Sequence, residues 1–141
     1  MKKLCVFICC IFFIQGCTAY NLNPSTFNIL GEYLCANEEF NNEFFIKNPD
    51  YIPSITFYDN GSCKAHVNYL EGIIDVLGYY SIEGNLIHVN LNIDDSVFYN
   101  SETGEKYIDD QFIFTIVDDN KIILDGDFYS VGSGEIFVKK I

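Results

Sequence analysis

The chain has 141 residues, 16% of them aromatic, and a formal net charge of −12. Its eight cationic side chains are all lysines, set against twenty Asp and Glu. Nucleic-acid binding needs clustered cations to displace counterions from phosphates, and none are clustered here, so DNA and RNA are excluded as partners. An anionic membrane surface would repel the folded part, a basic partner would be attracted to it, and the same charge keeps an exported protein soluble.

The first sixteen residues read as a signal peptide. Met1-Lys2-Lys3 is a short cationic start, and Leu4 to Ile14 is almost free of polar atoms. Eleven residues as a helix reach about 16 Å, against roughly 30 Å of hydrocarbon core. That is too short for a permanent span and fits a secretion signal. Two cleavage sites compete. One follows Cys17-Thr18-Ala19, an ordinary small-residue site. The other lies within Ile14-Gln15-Gly16-Cys17. This second stretch resembles the lipobox of bacterial lipoproteins: an aliphatic residue, a tolerated one, a small one, then Cys, with Gln15 departing from the commoner small residue. The resemblance is the favoured reading. It implies that the Cys17 thiol is thioether-linked to diacylglycerol and that Cys17 becomes the acylated N-terminus. The expected partner is then a membrane of the bacterial cell envelope, held through acyl chains such as palmitate. Each buried methylene adds about 0.8 kcal/mol of affinity, so two or three chains hold firmly where one would not.

Residues 17–27 are polar, carry Pro24 and read as a lipid-anchored tether. Residues 28–141 are a single domain whose hydrophobic period changes to two. The stretch 30–36 is a first strand. Residues 37–48 are expected to hold one short helix, with Asn37 as its cap and Phe40 and Phe44 four apart. Phe40, Phe44 and Phe45 lie between two strands and are candidates to cover a barrel end.

Hairpin signals follow. Residues 54–58 meet 62–69 across Asp59-Asn60-Gly61, a sequence suited to positive-φ turns. Residues 78–82, with a backward extension into 75–78, meet 86–93 across Glu83-Gly84-Asn85. Ile87, Val89, Leu91 and Ile93 share one face of that second strand; His88, Asn90 and Asn92 share the other. Residues 111–117 meet 121–125, and 127–131 are expected to meet 135–140 across Gly132-Ser133-Gly134. The stretch 111–117 is apolar on both faces, which implies cover on both sides. The predicted fold is all-β: an antiparallel meander of about eight to nine strands closing on itself, which removes open edges.

The strands carry a further likeness. Phe57, Asn60 and Gly61, then Gly78, Tyr80, Ile82, Gly84, Asn85 and Ile87, are similar to the hairpin and pleat motifs of bacterial lipocalin-like small-barrel lipoproteins. The resemblance implies a lipocalin-like barrel and reports fold better than activity.

Little catalytic chemistry is legible. His66 and His88 sit in the matching contexts "AHVN" and "IHVN" on two strands and read as solvated; no metal or other cofactor is expected. The paired aspartates (94–95, 109–110, 118–119) sit at turns and lack calcium-loop spacing. Ser133 has no nucleophile elbow around it, so no catalytic residue and no enzyme activity is expected. An exported compartment permits a disulfide between Cys35 and Cys63. One intervening strand would put them at opposite ends of the sheet and two at the same end, which leaves the bridge open. "SGEIF" (133–137) is similar to a short loop of bacterial lysozyme inhibitors. Two functions stand: an envelope-anchored binding protein for a small apolar or amphipathic ligand, or an interaction module whose acidic surface meets a basic protein such as a lysozyme. A barrel packed solid by Phe57, Phe112 and Phe114 would leave no room for a ligand inside.

Overall fold

A computed structural model describes residues 27–69, 72–93, 99–106, 109–128 and 131–141. The expected signal peptide, Cys17 and the expected tether to residue 26 lie outside the described residues, as do Asp94 and Asp95. The strands are β1 (Gly31–Cys35), β2 (Ser54–Phe57), β3 (Ser62–Tyr69), β4 (Gly72–Glu83), β5 (Leu86–Leu91), β6 (Tyr99–Asn100), β7 (Glu105–Lys106), β8 (Gln111–Asp118), β9 (Lys121–Asp125) and β10 (Ile136–Lys139). Eight of them close a barrel in the order β1-β10-β9-β8-β5-β4-β3-β2, and β6 with β7 forms a separate ribbon inserted between β5 and β8. All barrel pairs are antiparallel, including the closing pair of β1 with β10. The predicted all-β meander is the observed fold.

Turn chemistry sets the register. Between β2 and β3, Gly61 takes φ +79, which costs glycine little, and Asn60 Oδ1 accepts from the Ser62 amide at 3.0 Å. Strand alternation then decides what faces inward. Ile87, Val89 and Leu91 of β5 are buried, as are Phe112, Phe114 and Ile116 of β8. Aromatic rings pack across the interior. Phe114 meets Phe137 at 5.2 Å, Phe112 at 5.7 Å and Phe57 at 6.3 Å, all near edge-to-face. Tyr33 and Phe57 continue this array at 5.9 Å. Such contacts each add about 0.5–1.5 kcal/mol beyond their burial.

Two expectations need correction. Among the described residues, Phe128 and Val131 do not pair with 135–140. Phe128 bridges to Val131, and β10 pairs with β9 and β1. Burial drives the difference: Phe128 is 1% exposed and packs 5.0 Å from Phe112, so it closes the barrel core rather than lining a strand. The outer face of β8 is not fully covered, since Ile113 is half-buried and Val117 exposed. Cys35 and Cys63 are free and buried. Only β2 lies between their strands; Gly31 pairs with Phe57 and Phe57 with Cys63, so Cys63 sits level with the start of β1 and Cys35 at its end. Four residues of strand separate these levels by about 13 Å, beyond the reach of a disulfide.

The expected short helix within residues 37–48 is observed, preceded by a 3₁₀ turn. Asn37 caps a 3₁₀ turn over Glu38–Asn41, and Asn42 then caps α1 (Glu43–Lys47) by accepting from the amides of Phe44 and Phe45. The extended backbone of Asn42 separates the two.

Candidate functional site

The long loops, with the β3–β4 connection, gather at one end of the barrel, and the β2–β3, β4–β5 and β8–β9 hairpins lie at the other. Phe40 is half-buried against the core, whereas Phe44 is 52% exposed and Phe45 intermediate. The three rings, with Tyr51, form a strap of edge-to-face contacts across the loop end.

Aromatic rings crowd the interior, and open space stands on the outer wall. A groove of about 580 Å³ runs across β4, β5 and β8, lined by Tyr79, Tyr80, Ser81, His88, Val89, Asn90, Gln111, Phe112 and Ile113. Cross-strand register builds it from two rows. Tyr79, Asn90 and Gln111 face one another in the first; Ser81, His88 and Ile113 do so in the second. The close approach of β4 to β5 rests on Gly78, where a Cβ would fall 2.3 Å from the Asn90 carbonyl oxygen. The lining carries no Asp, Glu or Lys, in a protein with twenty acidic residues. Tyr79 is 70% exposed and offers a ring face. The side chains of Ser81, Asn90 and Gln111 are available to donate and accept. His88 Nε2 is buried without a hydrogen-bond partner and lies 3.7 Å from Glu83 Oε2. The outward positions of β5 were legible as a polar face. That β8 lies beside β5 was not, because residues 92–110 intervene.

His66 and His88 do not meet. His66 pairs across with Asp75 and His88 with Ser81, six residues apart on β4, or about 20 Å. Among the described residues, no three His, Cys, Asp or Glu gather to hold a metal ion. Ser133 Oγ accepts from the Gly126 amide at 3.3 Å, and Glu135 accepts from Asn37 Nδ2 at 2.8 Å, so both polar residues of the 133–137 stretch are engaged within the fold.

His66 belongs to a second recess, of about 310 Å³, on the wall formed by β1, β3 and β4. Its charges are paired with one another. Lys140 donates to Glu32 at 2.9 Å, and Lys64 and His66 reach Asp75 at 3.4 and 2.6 Å. The His66 hydrogen bond, aided by Lys64, holds the Asp75 carboxyl below the usual range against partial burial. Burial pushes Glu32 up, but the Lys140 contact and the Ser54 hydroxyl outweigh it and leave its carboxyl lowered. Burial alone pushes the Cys63 thiol up to about 12, which keeps it protonated and inert.

No protein-family model and no curated protein sequence matches the chain. Among solved structures, the chain is similar to a lipocalin-like protein from Bacteroides uniformis, at 18% identity and a TM-score of 0.47, over 80% of this chain and 99% of that one.

Proposed function

We propose that this is a non-enzymatic binding protein of the bacterial envelope, anchored by acyl chains on Cys17, which takes a small amphipathic ligand in the groove across β4, β5 and β8. One observation carries this reading: apolar side chains and aromatic rings crowd the barrel interior, while a groove of about 580 Å³ with an uncharged lining stands open on its wall. That volume falls within the roughly 300–1,000 Å³ of small-molecule sites. Tyr79 and Ile113 supply apolar surface; Ser81, Asn90 and Gln111 supply polar groups that fix orientation. An uncharged lining suits a ligand that brings no buried charge of its own.

Native mass spectrometry of the acyl-free Cys17→Ser protein, with a panel of fatty acids and aromatic metabolites, tests this. A one-to-one adduct is expected, lost in Tyr79→Ala and kept in Phe44→Ala. Absence of any adduct, or one indifferent to Tyr79→Ala, overturns it. Retention of a basic lysozyme by the same protein at low salt would then favour the acidic-surface reading.

A further inference from the structure

Residues 38–52 cross the loop end of the barrel between β1 and β2. Phe40 and Ile52 pack against the core beneath them. Otherwise the segment mostly contacts itself: Phe40 and Phe45 lie 4.9 Å apart, and Phe44 and Tyr51 5.3 Å apart. Its turns are closed by their own backbone, with Tyr51 N donating to Asn48 O and Ile52 N to Pro49 O. Among the described residues, one hydrogen bond joins this strap to a barrel strand. It runs from His66 Nε2 on β3 to the carbonyl oxygen of Asp50, at 2.7 Å. The other ring nitrogen, Nδ1, lies 2.6 Å from Asp75 Oδ1 on β4.

Both partners are acceptors. A carbonyl oxygen has no proton to give, and Asp75, with Lys64 on its second oxygen at 3.4 Å, stands as a carboxylate. A neutral imidazole carries a single N–H and satisfies only one of the two. Both bonds are made together only when the ring carries two protons. We infer that His66 is a proton-dependent latch: doubly protonated, it clamps the strap to the barrel wall, and loss of one proton releases Asp50 and the turn that carries Tyr51.

The order of release follows from bond strength. The remaining proton stays on Nδ1, because a bond to a carboxylate is stronger than one to a carbonyl. The Nε2 lone pair then faces the Asp50 oxygen, and the contact turns repulsive. The charged groups around the ring are Asp75 on β4, Lys64 on β3, Asp50 on the strap, and the Glu32–Lys140 pair on β1 and the C-terminal segment. All four groups besides Asp50 sit on the wall rather than the strap, so the wall keeps its own pairing when the latch opens. Phe40 and Ile52, with the attraction between the Asp50 carboxylate and Lys140, still hold the released strap. The latch is closed while both ring nitrogens carry a proton and opens when one is lost. It does not depend on the groove and stands whether or not a ligand binds there.

Two measurements on the same protein test it. NMR follows protonation of the His66 ring across pH. Hydrogen exchange, corrected for its intrinsic pH dependence, follows the Tyr51 and Ile52 amides that report the turn. Protection at these two amides is expected to fall about ten-fold as the ring loses its proton, the loss of one charge-assisted bond, with the same midpoint in both readouts. The amide of Val67 on β3 should keep its protection. In His66→Gln, which offers a non-titrating donor, the step should vanish. Protection that stays flat through the ring's titration, or a step that persists in His66→Gln, overturns the latch.

Discussion

At the scale of single residues, burial and pairing divide the titratable groups into two kinds. Tyr33 is fully buried, and its hydroxyl donates to the Asp119 carbonyl at 3.0 Å. Burial, followed by the nearby Asp119 and Asp118 charges, pushes it up to about 12, so it is a neutral structural group. Asp75 is the opposite case. Its carboxyl is lowered, first by the His66 hydrogen bond and then by Lys64, and it therefore binds its proton more weakly folded than unfolded. Its contribution to stability is present in full above its ordinary value of 3.8 and is lost as pH falls through the lowered folded value. The side chain is half-exposed, so screening keeps the contribution at about 1 kcal/mol or less. Thermal melts of wild type and Asp75→Asn should differ above pH 4 and converge toward pH 2. A gap that stays constant over that range would contradict the assignment.

At the scale of elements, register and turn residues explain why the strands formed where they did. Gly78 is the tightest point: an added Cβ would lie 2.3 Å from Asn90 O and 2.8 Å from Leu91 Cα, both backbone atoms that have little room to move. Gly78→Ala should force β4 from β5 and cost about 1–3 kcal/mol in urea unfolding. Gly132→Ala, with nothing within 4 Å and an ordinary φ, should cost little. Equal costs would mean that the approach of β4 to β5 is not constrained as described. Much at this level was legible beforehand. β3 and β9 run over the residues expected, because alternation and the Asn60-Gly61 and Asp119-Asn120 turns bound them on their inner sides. Phe128 was misread because an inward side chain in a loop and one in a strand give the same short pattern. The groove was hidden because it needs β8 beside β5, a pairing across residues 92–110. The His66 contact was hidden more deeply, since its partner is a backbone carbonyl in an irregular turn.

At the scale of the whole molecule, the barrel has a direction relative to its N-terminus. The chain enters at the hairpin end, where Asn28 N donates to Asp119 Oδ1 at 2.9 Å and Asn28 O accepts from Lys139 Nζ at 2.9 Å. The strap and long loops lie at the far end. From Cys17 to Phe27, ten peptide steps reach about 35 Å at most. An anchor at Cys17 would keep the hairpin end facing the membrane and turn the strap away from it. It would also hold an acidic domain near a surface that its own charge opposes, so attachment must come from the acyl chains and not from the protein surface. Metabolic labelling with palmitate checks this directly. The wild type should carry label and fractionate with membranes, and Cys17→Ser should lose both together. Adding salt should not detach the wild type, because acyl insertion is not screened. Equal labelling of the two proteins would refute acylation at Cys17, and release of labelled wild type by salt would refute the anchor as the force that holds it.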